Sequence, residues 1–266
     1  MNIVGVIPAR MSASRFPGKP LARICGLPMI EHVYKRCALS TLLTGLYVAT
    51  CDEEIIQATT NFGGKAIMTK DTHQRASDRV AEAVGKIEAT SGSKIDIVVM
   101  IQGDEPMVFP GMIDLAVQPL LKEDNIFVSN LIAPILSQEE HNDFNCIKVV
   151  VDRSFNALYF SRKPIPSFKD QTVQVTLYKQ VCVIPFKRDF LFKYSALEPT
   201  PLEKAESIDM LRVLEHGMKV RMVPFDFLTY SVDTPEDLSR VEKLLEKDTL
   251  NATYNHTKPV GEQNDG

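Results

Sequence analysis

The stretch IDIVVMIQGD, residues 95–104, carries six apolar side chains in its first seven positions and then stops on a Gly-Asp pair. A strand wetted on one face alternates apolar with polar residues, whereas a run with almost no alternation is how a strand covered on both faces reads. Such strands belong to parallel sheets held between helices. The flanking sequence agrees. NIVGVIP (2–8) is a second run of this kind, followed after a long loop by LPMIEHVYKRCALS (27–40), whose apolar residues recur at helical spacing. GLYVATC (45–51) reads as a strand, DEEIIQATTNFG (52–63) as a helix closing on Gly63 and Gly64, KAIMT (65–69) as a strand and SDRVAEAVGKIEA (77–89) as a helix. Strands alternating with helices pair in parallel through right-handed crossovers, so the sequence predicts an α/β fold with a mostly parallel sheet flanked by helices.

The middle of the chain changes character. NIFVSNLIAPI (125–135), NCIKVVVDRSFNALYFS (145–161) and YKQVCVIPF (178–186) are β-rich, with turn residues such as Asp152-Arg153-Ser154 among them, the pattern of an inserted antiparallel segment. PTPLEKAESIDMLRVLEHG (199–217) reads as one helix with proline before it and Gly217 after it, and KVRMVPF (219–225) as a strand. TPEDLSRVEKLLEK (234–247) reads as a helix capped by Thr234 with Pro235 at its first position. With no repeat and no linker, residues 1–246 are expected to form one domain, and the polar, aperiodic residues 247–266 a flexible tail.

Composition narrows the partners. With 30 Lys and Arg against 34 Asp and Glu, the formal net charge is −4, and the chain has no overall basic field for nucleic acid. Any polyphosphate must be gripped locally. The five cysteines, Cys25, Cys37, Cys51, Cys146 and Cys182, are odd in number and lack C-x-x-C spacing, as free thiols in a reducing compartment do. No apolar run nears the ~18 residues of a membrane span, and the first residues read as a strand and not as a secretion signal. A cytoplasmic protein without a membrane span is expected.

Ligands of open α/β sheets bind beyond the carboxyl ends of the strands, and three stretches fall there. The first, IPARMSASRFPGKPL (7–21), presents Arg10, Arg15 and Lys19 on an irregular segment with small residues at 12–14. It is not a G-x-x-x-x-G-K-[ST] loop, because Ala13 stands at the first glycine position and Pro20 follows Lys19. What remains is a basic loop able to set backbone N–H groups and cations around a polyphosphate. The other two stretches are QGDEP (102–106) and VDTPED (232–237). Asp104 and Asp233 each follow an apolar strand. If the two strand ends adjoin, their carboxylates suit Mg²⁺, which binds through one or two carboxylates plus substrate phosphates. Taken singly, each has a plainer reading, Asp233 as part of a capping turn and the basic loop as a solvated surface.

With these pieces in place the chain resembles the CMP-Kdo synthetase (3-deoxy-manno-octulosonate cytidylyltransferase) family, from its start to about Leu245. The carriers are IPAR with SRFPGKPL, IQGDEP, IKVVVD with ALYFSR, PLEKAE with LRVLEHG, and VDTPEDL, in that order. The resemblance implies a Rossmann-like fold, CTP and a 2-keto-3-deoxy sugar acid as substrates, Mg²⁺ as cofactor, and a homodimer formed through the β segment. It implies that Arg10, Ser14, Arg15 and Lys19 hold the CTP phosphates, with Pro8, Ala9, Thr69, His73 and Arg79 about the nucleotide and Gln102 reading cytosine. Asp104 and Asp233 are the implied metal ligands, and Arg15, Lys19, Asp104 and Asp233 the implied catalytic group. The sugar acid falls to Arg162, Gln180, Glu203, Glu206 and Met210. His73 is read as a hydrogen-bonding element in preference to a proton carrier.

The chain departs from the family pattern in three places. Where the family usually reads His-x-Ser-Gly-Thr-x-Arg, residues 73–79 are HQRASDR; where it has His-x-Gly-x-Tyr, residues 180–184 are QVCVI; where it has Gln-Leu-Arg, residues 210–212 are MLR. The last two lie on the implied acceptor side, so an altered acid (an amino-substituted Kdo, a nonulosonic acid or another) stays open beside Kdo. A non-catalytic nucleotide-binding homologue and a transferase using another base are the remaining alternatives. Glu203 and Glu206, three residues apart on a helix, also admit a plain pairing with Arg212.

Overall fold

A computed structural model describes residues 1–12, 15–170, 172–226 and 229–256. Its first sheet has five strands in the order Val183–Lys187, Ile97–Ile101, Ile3–Pro8, Gly45–Thr50, Ala66–Met68, all parallel except the first. The apolar run that opened the sequence reading lies next to the centre, and its lack of alternation has the expected cause. Val98 and Met100 join one core with the helix Ala76–Ser91, while Ile97, Val99 and Ile101 join another with the helices Met29–Cys37 and Pro110–Lys122. Both faces are dry. At about 1.5–3 kcal/mol per buried aliphatic side chain, a strand buried in this way is among the strongest apolar contributors to the fold.

The second sheet carries the inserted segment. Its order is Arg221–Pro224, Ser129–Pro134, Tyr178–Val181, Lys148–Val151, Ala157–Ser161, and every pairing except the first is antiparallel. The Asp152-Arg153-Ser154 turn joins its last two strands, as the sequence predicts. One reading is corrected here. YKQVCVIPF does not lie wholly in the inserted segment: Tyr178–Val181 belongs to the second sheet and Val183–Lys187 to the first, with the chain crossing between them at Cys182. The apolar run VCVIPF (181–186) continues through the crossing without a Gly or a polar turn residue, so the sequence offers no sign of it.

The helix expected over 199–217 is likewise two pieces, Pro201–Glu206 and Met210–Glu215, parted at Ser207, whose φ of 55° lies in the left-handed region. The break lets the Glu203 carboxylate receive two hydrogen bonds of 2.7 Å from the Arg212 guanidinium, both side chains being buried. Residues nine apart on an unbroken helix sit about half a turn out of phase and could not meet. The helices Pro110–Lys122 and Arg188–Ser195 are additional elements, covering opposite faces of the first sheet.

The helix Pro235–Leu245 has the predicted cap, the Thr234 hydroxyl accepting from the Asp237 N–H at 3.2 Å. Beyond it the chain does not fray where a tail was expected. Thr249–Tyr254 forms a further helix. Tyr254 Oη pairs with the buried His32 ring at 2.9 Å, and Arg36 donates to Asp248 at 2.5 Å. These contacts use polar residues, which is why hydrophobic periodicity did not reveal them. Residues 257–266 of the expected tail lie outside the described residues.

Candidate active site

The two carboxylates singled out from sequence are neighbours. Asp104 leaves the end of the strand Ile97–Ile101, and its backbone carbonyl accepts from the Val232 N–H at 2.9 Å, which fixes Asp233 beside it. Gly103 allows this crowding, since a Cβ there would lie 3.1 Å from the Pro8 carbonyl oxygen at the adjacent strand end. Asp233 is more than part of a cap. Its backbone N–H donates to Asp237 at 3.1 Å, while its carboxylate turns outward.

The basic loop faces this pair. Gly18, at φ 75°, donates its N–H to the Met11 carbonyl and turns the chain into a 3-10 turn at Lys19–Leu21. That places Lys19 Nζ 2.9 Å from Asp104, 3.3 Å from Asp233 and 2.7 Å from the Val232 carbonyl oxygen. Burial works against the charge on Lys19, but the two aspartates outweigh it and hold the ammonium above its ordinary pKa. Arg15 reaches the same cluster, donating to Asp233 at 2.9 Å and to Asn145 at 2.5 Å. Arg10 is exposed and makes no ion pair among the described residues.

Pro8, Ala9, Arg10, Arg15, Lys19, His73, Arg79, Gln102, Asp104 and Asp233 line one cavity of about 270 Å³. The predicted nucleotide residues are therefore brought together, with two exceptions. Thr69 acts from behind, accepting a 2.5 Å hydrogen bond from Arg79, and Ser14 lies outside the described residues. His73 pairs with Glu82 through Nε2, so its ring is held by a carboxylate. Burial opposes the charge on Glu82, but hydrogen bonds from Lys86, His73 and the Lys70 N–H outweigh it and bring the carboxyl down to about 2. The Gln102 side-chain amide makes no hydrogen bond among the described residues, which leaves it for a ligand.

A second, larger cavity of about 900 Å³ adjoins the first, and Arg15, Arg75, Gln102, Asp104 and Asp233 border both. Of the residues expected to hold a sugar acid, Arg162 and Gln180 line it. Glu203, Glu206 and Met210 do not. Glu203 is consumed by Arg212, the pairing left open from sequence, and Met210 is fully buried. Glu206 accepts from the Arg162 N–H at 2.8 Å and from Ser161 at 3.1 Å, which makes it a support for Arg162. Arg75, the departure whose direction sequence left undecided, enters the site: it donates to Ser207 at 3.1 Å and lies 3.5 Å from both Glu203 and Asp209.

Lys179, Asn145 and Glu105 also line the second cavity and were not singled out from sequence. Glu105 alone had a signal there, standing next to Asp104 at the end of the most apolar strand. Its carboxyl is buried and, by that burial first and the neighbouring Asp104 second, pushed up to about 8.

No group of three or more His, Cys, Asp or Glu side chains suited to a metal occurs among the described residues. The donor set of Asp104 and Asp233 nevertheless fits Mg²⁺. This ion keeps several waters and takes one or two carboxylates plus substrate phosphate, and here one cationic group already spans both carboxylates.

Comparison with known proteins points to one family. Residues 4–220 match the family model described as cytidylyltransferase. The chain is 44% identical over 255 residues to the 3-deoxy-manno-octulosonate cytidylyltransferase of Geobacter metallireducens, covering 92% of this chain and 98% of that protein. It is 42% identical to the protein of that name from Pelobacter propionicus, covering 91% and 97%. Among solved structures, that of CMP:2-keto-3-deoxy-manno-octonic acid synthetase complexed with CTP superposes with a TM-score of 0.83 at 37% identity, over 92% of this chain and 99% of that one. A cytidylyltransferase from Leptospira borgpetersenii, at 17% identity and a TM-score of 0.61 over 92% of this chain and 87% of that one, shares the fold.

Proposed function

This chain belongs to the 3-deoxy-manno-octulosonate cytidylyltransferase family, and from that premise we propose that it transfers CMP from CTP to a 2-keto-3-deoxy sugar acid, Kdo or a close relative, with release of pyrophosphate. The observation that carries the reading is the contact of Lys19 with both Asp104 and Asp233, which sets a basic loop against two carboxylates at the rim of the sheet.

The reaction needs no protein nucleophile. The acceptor hydroxyl attacks the α-phosphorus, the bond to pyrophosphate breaks, and charge accumulates on the leaving oxygens. Arg10, Arg15 and Lys19 receive that charge, as preorganised cations do most effectively in a partly buried site. Gln102 reads the base edge. Arg79, tied to Thr69 and Lys70, holds its side of the cavity rigid. Asp104 and Asp233 would hold Mg²⁺, which when bound lowers the pKa of the attacking hydroxyl and clamps the α-phosphate. Arg162 and Gln180 orient the acid so that attack is in line.

A second reading, that the acceptor departs from Kdo itself, is favoured by Arg75, which stands at the junction of the two cavities where the family usually has serine. No helix among the described residues is long and apolar enough to cross a membrane. The use of CTP as substrate supports a cytoplasmic enzyme. A homodimer is supported by the strand Ala157–Ser161, which ends the second sheet with Leu158 61% exposed. Sedimentation tests that state.

Pyrophosphate release from CTP and Mg²⁺ across Kdo, amino-Kdo and nonulosonic acids tests the function. Turnover of one acid, lost in D104N and D233N, is the expected result. Tight CTP binding with no release from any acid would make the chain a nucleotide-binding homologue, and UTP, GTP or ATP outcompeting CTP would change the base. Rapid turnover of Kdo would remove the second reading.

A further inference from the structure

The larger cavity is bordered by a buried carboxyl group with an unpaired oxygen. Several polar side chains around it are paired within the chain: Lys179 with Glu140, Gln180 donating to Asn130 at 2.5 Å, and Arg162 donating to the Glu206 carbonyl at 2.6 Å. Glu105 is different. It is 7% exposed, it lines this cavity, and its buried Oε2 has no hydrogen-bond partner among the described residues. Leaving such an oxygen unpaired costs about 1–3 kcal/mol, a cost that a ligand hydrogen-bonded to it would offset. The sequence position sharpens the point. Asp104 borders both cavities, whereas Glu105, the next residue, borders the larger cavity alone. Glu105 thus faces only the space beyond the nucleotide cavity.

We propose that Glu105 is an acceptor-reading residue: its Oε2 hydrogen-bonds a hydroxyl of the sugar acid on the side of the cavity away from the CTP phosphates, and so sets which acids are accepted. This rests on the transferase reading above. It assigns Glu105 no part in holding CTP. Because the contact is made to the acceptor, its loss changes acceptor affinity and leaves nucleotide affinity alone. A site that pairs a substrate hydroxyl rejects the analogue lacking it, since the buried partner is then left empty.

The test uses the full chain and two substitutions. E105L removes the hydrogen-bonding group at similar volume, and E105Q retains one. Three quantities are read: the dissociation constant of CTP with Mg²⁺ by calorimetry, the acceptor KM and kcat by pyrophosphate release, and stability by urea unfolding. The expected result is an acceptor KM raised about 10-fold or more in E105L, with CTP binding unchanged and E105Q much nearer the wild type. In the wild type, the acceptor analogue lacking the paired hydroxyl should show a comparable loss, and E105L should not discriminate against it. This analogue series on the wild type carries the test if E105L does not fold. An acceptor KM in E105L close to the wild-type value overturns the inference, and so does a CTP affinity that falls in step with it. If the wild type itself releases no pyrophosphate from any acid, the transferase reading fails and takes this inference with it; if it turns over and E105L matches it, only the inference fails.

Discussion

The ammonium of Lys19 lies 3.3 Å from the carboxylate of Asp233 across 214 residues of chain, and the same ammonium holds Asp104 at 2.9 Å. The basic turn and the paired acids are therefore one electrostatic unit, and its parts can be removed singly.

Replacing Lys19 with Met removes a cation poised for the leaving pyrophosphate. From the effect of deleting one preorganised donor, kcat should fall by about 10²–10³, on the order of 3–4 kcal/mol of transition-state stabilisation. Steady-state pyrophosphate release measures this. A kcat within a few-fold of wild type would show that Lys19 only holds the loop closed.

The same substitution has an opposite effect on metal binding. Lys19 competes for the two carboxylates, so K19M should bind Mn²⁺ in the absence of CTP more tightly than the wild type, by about 10-fold for a loss of roughly 1.4 kcal/mol of competition. Calorimetry or the electron-spin signal of free Mn²⁺ reads it without turnover. Adding D104N and D233N to K19M should abolish it.

Glu203 belongs to the core. E203A strands the buried Arg212 guanidinium, and the expected loss of stability in urea is about 3–5 kcal/mol. The double substitution E203L/R212M should recover most of that loss, because two apolar side chains leave no orphaned charge. A ligand role for Glu203 would instead show as a raised acceptor KM with stability intact.

Acid should weaken the His73–Glu82 support. The folded-state carboxyl of Glu82 sits at about 2 against an ordinary 4.5, so its contribution is complete above the ordinary value and is lost as pH falls from 4.5 through 2. E82Q should show a shallower decline of melting temperature over that window. Equal slopes for the two proteins would mean that the pair adds nothing.

Ending the chain after Lys247 removes the Asp248–Arg36, Tyr254–His32 and Asn255–Cys25 contacts. At about 2–4 °C per kcal/mol for a chain of this size, the melting temperature should drop by roughly 5 °C or more. An unchanged melting temperature would restore residue 246 as the functional boundary of the domain.

Much of this molecule was legible in one dimension. Ile97–Ile101 announced a strand buried on both faces because every residue in it meets a core, and the Thr234-Pro235 start of a helix is a local hydrogen-bonding pattern. The gathering of cations at one cavity was legible for a similar reason, since Arg10, Arg15 and Lys19 crowd one loop. Contacts between distant segments were not. That Glu203 closes on Arg212 instead of a sugar depends on a left-handed Ser207, and that Arg75 turns inward depends on the arrival of Ser207 and Asp209 from the other half of the chain.

The sequence by itself determined which segments are strands and helices and which residues carry the charge, because periodicity, capping and composition act over a few residues. Only the tertiary structure decided that Tyr178–Val181 and Val183–Lys187 part into separate sheets, and that Glu105 is left with an empty oxygen beside a cavity. Both depend on which surfaces meet after the chain has folded back on itself, and burial and hydrogen-bond satisfaction are properties of that meeting alone.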